Sequence, residues 1–188
     1  MKSSYKQNAN RSSIILNSPI GKIEIFLGSR GLVGLSTARE PKATKIGVAM
    51  DELLNQKAKT QLREYFEGTR SSFDLPIEWS GTDFQQEVWK ETMKVRAGNT
   101  STYGEIAKRI GRPEAYRAVG QALNKNPWMI VVPCHRILNS KSELHGYALG
   151  LKAKAWLLEH EHLHFGRTER AELRASKKRR GRAAQAPA

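Results

Sequence analysis

The sequence predicts an α+β protein in which a small antiparallel sheet near the amino terminus packs on a mainly helical carboxyl-terminal part. Two patterns carry this prediction. Between residues 13 and 35, apolar and polar residues alternate, which is the period of half-buried strands. From residue 51 onward, apolar residues recur three or four positions apart, which is the period of helices. The 188 residues suffice for one substantial core or for two small cores packed together.

The strands come first along the chain. Ser13–Leu16 is a short apolar run, and Gly21–Leu27 places isoleucine and leucine side chains on one face and charged side chains on the other. The turn residues Ser29–Gly31 then reverse the chain, so that Leu32–Leu35 returns as the partner strand. These patterns predict a small antiparallel sheet.

One helix and a linker follow the strands. Apolar residues at helical spacing predict a helix that starts at Asp51 and ends at Gly68. Phe73–Trp79 contains a proline, Pro76, and is interpreted as an extended linker.

Helix-start signals mark the next part of the chain. Thr82 with Gln85, and Thr102 with Glu105, are capping-box signatures. The predicted elements after the second signature are three helices and one buried apolar run: Tyr103–Ile110, Tyr116–Lys125, Leu151–Glu161 and Met129–Val132. The last helix is expected to bury Leu151, Ala155 and Leu158. We therefore divide the chain into residues 1–80, residues 81–166 and a basic, disordered tail of residues 167–188.

Charge and composition limit the classes of function. The net charge is +14, and residues 167–188 alone contribute eight basic and two acidic residues, a net +6. This excess is compatible with a nucleic-acid partner, but it also serves solubility. The chain has no apolar run of the roughly 20 residues that span a bilayer. The start, Met1–Ser13, is polar and has no apolar segment of the signal-peptide type. We therefore expect a protein of a reducing compartment, cytoplasmic in a bacterium or nuclear in a eukaryote, and its one cysteine makes no internal disulfide.

Two short helices around Gly111 and Pro113 have the dimensions of a helix-turn-helix. That pattern alone is a weak indicator of DNA binding, because any compact helical domain contains such pairs.

The strongest chemical signal surrounds Cys134. A lone cysteine is often only a small buried hydrophobe. Here Pro133 fixes the chain before it and His135 and Arg136 follow directly, and nearby cations favour the reactive thiolate. A cysteine with a base that is oriented by an acid is an activated nucleophile, and Glu161 is the candidate acid.

The residues around this cysteine resemble a known family. Val131–Ile137, with the sequence VVPCHRI, looks like the active-site signature of the O6-alkylguanine-DNA alkyltransferases. Further segments stand in that family's order and approximate spacing: Tyr103–Ala107, Arg117–Gly120, Asn126-Pro127, Gly146-Tyr147, Trp156–Leu158, Ser18–Gly21 and Glu64–Gly68. The resemblance covers roughly residues 13 to 165 and implies a ribonuclease-H-like fold for the amino-terminal part, without nuclease activity.

The resemblance implies a single-turnover reaction. Cys134 would accept the alkyl group of O6-alkylguanine, and O4-alkylthymine would be a second substrate. His135 would act as a base through a water molecule, and Glu161 would orient its imidazole. Tyr103 would donate a proton or hydrogen bond to guanine N3 as the base leaves.

The resemblance also implies contacts with a flipped nucleotide. Arg117 would fill the space that the nucleotide leaves in the stack, as base extrusion requires. Asn126 would serve DNA binding by bracing the turn between the second helix and the active-site strand. Arg136 is grouped with these DNA-binding residues, as a structural or a phosphate-facing side chain. The substrate pocket would be lined by Ile137, Tyr147, Ala148 and Met129, with the backbones of Cys134, Ile137 and Ala148 along the guanine edge.

The expected partner is double-stranded DNA that contains O6-alkylguanine, contacted in the minor groove by a monomer, with no membrane and no cofactor. No metal is expected, because His160, His162 and His164 point to different sides of a helix. Bulky Trp128 and Met129 are expected to line the approach to the pocket, and Leu149 to change its rear loop.

Three other functions are compatible with parts of the sequence. A non-catalytic lesion sensor would resemble this family but lack the acceptor cysteine, which is intact here. A helix-turn-helix regulator of the family carries a further cysteine-rich metal-binding domain, for which this chain has too few cysteines. A cysteine hydrolase would turn over instead of inactivating itself.

Overall fold

The computed structural model describes residues 12–37, 52–141, 143–144 and 146–166. The predicted helix start at Asp51 and the predicted tail of residues 167–188 lie outside the described residues. The fold is α+β, as the sequence predicts: a three-stranded antiparallel sheet precedes a helical part.

The sheet is a meander in the order β1-β2-β3. Its strands are β1 (Ser12–Ser18), β2 (Gly21–Gly28) and β3 (Gly31–Thr37), each longer than the alternation predicts. Gly31 begins β3 at a φ of +150°, and a Cβ atom there would collide with the carbonyl oxygen of Pro76. Glycine therefore allows the predicted linker to approach the sheet closely.

The linker is hydrogen-bonded to β3. Leu32 N donates to Pro76 O at 2.8 Å, and Glu78 N donates to Leu32 O at 3.0 Å. Helix α1 (Glu52–Phe66) packs beside β1. The face it buries carries Ala58, Gln61, Leu62 and Tyr65.

After α1, the described residues contain four further α-helices: α2 (Asp83–Met93), α3 (Tyr103–Arg109), α4 (Tyr116–Asn124) and α5 (Leu151–His164). Both predicted capping boxes are present, with Thr82 and Thr102 as the N-caps of α2 and α3. None of the helices in the described ranges is both long and apolar enough to cross a membrane.

Helices α3 and α4 contact each other across the 3₁₀ turn Pro113–Ala115, and so form the predicted helix-turn-helix. A feature that the sequence analysis missed joins it to the cysteine. Strand β4 (Ser101–Thr102), at the start of α3, pairs in parallel with β5 (Ile137–Leu138), directly after the Cys134 segment.

Trp128 lies in the core and not at the approach to a pocket, so its predicted place is wrong. Its side chain is fully buried, its ring meets Trp79 and Trp89 edge to face, and its Nε1 donates to Leu32 O at 2.8 Å. The hydrogen bond from Trp128 to Leu32 thus links the segment that precedes Cys134 to strand β3.

Candidate active site

Cys134 opens a short 3₁₀ turn, Cys134–Arg136, and is 9% exposed. Its Sγ accepts a hydrogen bond from Asn126 Nδ2 at 3.1 Å. The turn follows the buried run Met129–Val132, as predicted, and leads into β5. The thiol is therefore held by backbone that is anchored on both sides.

Asn126 holds the segment before the cysteine. Its Nδ2 also donates to Val132 O at 2.8 Å, and its Oδ1 accepts from Trp128 N at 3.0 Å. The side chain is 6% exposed and uses its amide groups internally. These hydrogen bonds brace the turn in the way predicted for Asn126, and its part in DNA binding stays a prediction.

The braced segment contains a strained residue. Ile130 has a φ of +75°, which a β-branched side chain rarely adopts. Val132 N donates to Trp128 O at 2.7 Å and closes the turn around it. Such strain costs on the order of 1–3 kcal/mol and persists where surrounding contacts enforce it; here the side chain of Ile130 is fully buried.

His135 and Glu161 form a buried pair behind the cysteine. His135 Nε2 lies 2.9 Å from Glu161 Oε1. Because a carboxylate only accepts, Nε2 carries the proton and Nδ1 keeps its lone pair. Nδ1 is buried and has no hydrogen-bond partner among the described residues. Burial lowers the pKa of His135, against the opposing effect of Glu161, so the ring is a neutral base at neutral pH.

Arg136 clamps the same carboxylate. Its Nε and Nη2 donate to Glu161 at 2.9 and 2.8 Å, its Nη1 donates to Val95 O, and it is 5% exposed. Burial alone would raise the pKa of Glu161, but His135 and Arg136 outweigh it and hold that pKa well below its usual range. Of the two alternatives for Arg136, the phosphate-facing one is wrong, because its guanidinium is buried against Glu161.

The thiol itself is not strongly activated in this state. Burial raises the pKa of Cys134, while the Asn126 hydrogen bond and the charge of Lys154 act in the opposite direction. Lys154 lies fully buried on α5, and its Nζ donates to Ile137 O at 2.7 Å. Because the resting thiol is protonated, reaction requires a nearby base to remove its proton.

A cavity of about 520 Å³ opens onto Cys134. Predicted site residues that border it are Cys134, Tyr103, Arg117, Asn126, Tyr147 and Ala148. Its volume is in the range of small-molecule sites. The cavity is bordered on one side by the helix-turn-helix and on the other by the loop before α5.

Tyr103, the first residue of α3, faces the cavity beside Gly120 of α4, where an added Cβ would touch the Tyr103 ring at 3.7 Å. Burial and the nearby Cys134 raise the pKa of Tyr103, so its hydroxyl stays protonated. Arg117 lies exposed at the cavity rim, with its guanidinium 5.6 Å from the ring centroid of Tyr116.

Comparison with known proteins places this arrangement in a family. The family described as "6-O-methylguanine DNA methyltransferase, ribonuclease-like domain" matches residues 13–79, and that family's "DNA binding domain" matches residues 83–163. The methylated-DNA–protein-cysteine methyltransferase of Methanosarcina barkeri is 45% identical over 151 residues, which are 78% of this chain and 94% of that protein. The chain belongs to the methylated-DNA–protein-cysteine methyltransferase family.

Solved structures of this methyltransferase family have the same fold. The O6-methylguanine methyltransferase of Mycobacterium tuberculosis has a TM-score of 0.72 and 37% identity, over 82% of this chain and 94% of that one. A structure of the M. tuberculosis protein in complex with DNA has a TM-score of 0.71 and 39% identity, over 80% of this chain and 92% of that one. These matches support DNA as a partner of the methyltransferase described here.

Two residues predicted to line the methyltransferase pocket do not border the cavity. Met129 is 6% exposed, and packs in the braced turn. Ile137 is fully buried in β5, and its carbonyl is occupied by Lys154. The turn before the cysteine and the strand after it run into the core, so the predicted place of the Met129 side chain is wrong, whereas the place of the Ile137 backbone along the guanine edge stays a prediction.

Several residues to which the sequence analysis gave no role line the cavity or contact the residues that surround Cys134. Tyr116, Gln121, Asn124 and Asn139 border the cavity with Cys134. Behind it, Lys154 and Tyr65 contact the Cys134–Glu161 region. Spacing could have revealed Lys154, because it lies two helical turns before Glu161 and therefore on the same face. Tyr65 belongs to a quoted motif, but local sequence gives no indication of its distant partner.

His160 of α5 serves packing in this structure, whereas His162 and His164 are exposed. His160 stacks on Trp156 with ring centroids 4.8 Å apart, and its Nε2 lies 2.7 Å from Tyr65 O. No group of three potential metal ligands occurs in the parts of the chain that the structure describes.

Proposed function

We propose that this protein repairs alkylated DNA by transferring an alkyl group directly and once from O6-alkylguanine, and from O4-alkylthymine, to Cys134. One observation carries the proposal: Cys134 borders a cavity between the helix-turn-helix and the loop before α5, and the next residue, His135, is paired with Glu161. The relatives' names and the relative solved with DNA support the same reaction.

The proposed reaction moves one proton and one alkyl group. His135 takes the Cys134 proton through a water molecule at Nδ1. The sulfur then attacks the alkyl carbon, so that the S–C bond forms while the bond from carbon to guanine O6 breaks. Tyr103 gives its proton to guanine N3, and the proton held by His135 restores the phenol. The products are neutral guanine and a thioether on Cys134, which has no easy leaving group, so each molecule acts once.

DNA would be bound through the helix-turn-helix. Five basic residues of this segment are exposed, namely Lys108, Arg109, Arg112, Arg117 and Lys125. Phosphate contacts from such residues supply affinity without reading sequence. Arg117 stands at the cavity rim and would replace the extruded nucleotide in the stack, with a monomer approaching from the minor groove.

Mass spectrometry of the intact protein after incubation with duplex DNA that contains O6-methylguanine tests this function. We expect one added methyl group per molecule, mapped to Cys134 and absent from Cys134→Ala. Tight binding without an adduct would instead indicate a lesion sensor. Repeated turnover on an acyl substrate, with the protein mass unchanged, would indicate a hydrolase.

A further inference from the structure

Tyr65 connects the amino-terminal helix α1 to the carboxylate behind the candidate acceptor. Its side chain is fully buried, and its hydroxyl donates to Glu161 Oε1 at 2.8 Å. This is the same oxygen that accepts from His135 Nε2 at 2.9 Å. The phenol and the imidazole thus share one acceptor atom, although α1 lies almost a hundred positions earlier in the chain.

The phenol ring has little freedom to leave this position. Its centroid lies 5.3 Å from that of Phe66, 5.4 Å from Phe73 and 5.5 Å from His160. The backbone of the same residue is tied to α5, because His160 Nε2 lies 2.7 Å from Tyr65 O. Two neighbouring residues of α5 therefore contact Tyr65, one at its carbonyl and one at its hydroxyl.

We propose that Tyr65 is a positioning residue for alkyl transfer, which holds the Glu161 carboxylate against His135 and keeps the imidazole neutral. The proposal rests on the proposed function of Cys134. Hydrogen bonds to a carboxylate stabilise its charge and reduce the negative potential that it exerts on a second partner. With the Tyr65 hydroxyl in place, Glu161 stabilises imidazolium less, so His135 keeps its Nδ1 lone pair for the thiol proton.

Other charged and titratable groups also face the Glu161–His135 pair. Arg136 and the backbone N–H of Gly98 also donate to Glu161. Lys154 and Tyr147 face His135, Tyr147 with ring centroids 6.2 Å apart. Arg136 and Lys154 lower the pKa of His135, which is the direction that the proposal assigns to the hydroxyl of Tyr65. Of these hydrogen-bond partners of Glu161, namely Tyr65, His135, Arg136 and Gly98, Tyr65 comes from the sheet-bearing part of the fold.

The test is the titration of His135 in Tyr65→Phe, which removes the hydroxyl and keeps the ring. Imidazole NMR signals report the pKa directly, and the transfer rate is measured over the same pH range with free O6-benzylguanine. We expect the midpoint of both curves to move up by about one pH unit, so that transfer below it slows about tenfold. The rate at high pH should stay within about twofold of the wild type, because the base is then deprotonated in both proteins.

Phe73→Leu is the matched control, since it loosens the same aromatic cluster without touching the hydroxyl. It should change the rate equally at every pH, with the midpoint unmoved. Site-specific 3-fluorotyrosine at position 65, a stronger donor, should move the midpoint down, and it decides the question if Tyr65→Phe does not fold. An unmoved midpoint in the folded variants, or equal shifts in Phe73→Leu, would overturn the proposal. Absence of any Cys134 adduct in the wild type would overturn the proposed function instead, while the NMR titration would still decide the role of Tyr65.

Discussion

Asn126 Nδ2 lies 3.1 Å from Cys134 Sγ and donates to it, while the same nitrogen holds Val132 O. One buried amide thus fixes both the backbone before the candidate acceptor and the acceptor atom itself. Since it also follows α4, the residue links the end of the helix-turn-helix to the thiol.

Replacement of Asn126 should therefore change both reactivity and stability. Asn126→Ala removes a donor that lowers the pKa of Cys134, so we expect that pKa to rise. It also leaves the buried N–H of Trp128 without its acceptor and removes one of the two donors to Val132 O, the other being Cys134 N. The free energy of unfolding should therefore fall by about 2 kcal/mol. Iodoacetamide alkylation against pH measures the first effect, and urea unfolding measures the second. Asn126→Asp should raise the thiol pKa further, because it adds a negative charge; an unchanged thiol pKa in both variants would show that the hydrogen bond has no influence.

Cys134→Ser and Cys134→Ala should abolish alkyl transfer and leave DNA binding largely intact. The chain has no second thiol, and a hydroxyl is a far weaker nucleophile near neutral pH. Transfer of labelled methyl groups from duplex DNA and a gel-shift titration measure the two properties. Residual methylation of the Ala variant would remove Cys134 from the role of acceptor.

Substitutions of Arg117 and Tyr103 should distinguish the base-flipping step from the alkyl-transfer step. Arg117→Ala should slow repair of duplex DNA much more than reaction with free O6-benzylguanine, because only the duplex requires extrusion of a nucleotide. Tyr103→Phe should slow both reactions, since its hydroxyl is assigned to the base itself. Single-turnover rates on the two substrates provide the comparison. Equal losses on both substrates for Arg117→Ala would contradict its assignment to flipping.

The elements of the fold follow well from local sequence. Alternation found the strands, and the capping boxes located the starts of α2 and α3, because both signals are short-range. The buried face of α5 was predicted wrongly. Apolar spacing selected Leu151, which is 49% exposed, whereas the face that packs inward carries Lys154 and Glu161. Charged residues are buried there because partners from distant segments pair with them, and a hydrophobicity pattern cannot register such partners.

The residues of the candidate site were easier to find than their roles. The motif around Cys134 identified His135 and Arg136 together, but it could not distinguish a guanidinium that faces DNA from one that is buried against Glu161. The contact of Tyr65 with Glu161 depends on how α1 packs against α5. No periodicity within either helix predicts that contact.

The Arg136–Glu161 pair should make stability depend on pH. The pKa of Glu161 in the folded protein is held below its unfolded value of about 4.3. The ionised carboxylate therefore contributes fully to the free energy of unfolding above about pH 4.3, and this contribution is lost as the pH falls toward the folded pKa. Glu161→Gln leaves Arg136 buried without its counter-charge and should cost about 3–5 kcal/mol at neutral pH. Urea unfolding of both proteins should show this difference shrinking below about pH 4. Glu159→Gln, at an exposed position of the same helix, is the control and should change little; a difference independent of pH would contradict the ionic origin of the effect.

The last prediction concerns residues 167–188, which carry a net +6. If this charge contacts phosphates, each phosphate neutralised contributes about −0.9 to the slope of log affinity against log salt on duplex DNA. Deletion of the segment should therefore weaken duplex binding at low salt and make the slope shallower.

Replacement of Lys177–Arg180 by glutamine should produce part of the same change at constant chain length, which separates charge from length. Reaction with free O6-benzylguanine should be unchanged, because Cys134, Tyr103 and Glu161 all precede the segment. Fluorescence anisotropy over a salt series measures the slope. An unchanged slope in both variants would assign the segment to another role, such as a targeting signal, and would leave the helix-turn-helix as the source of affinity for DNA.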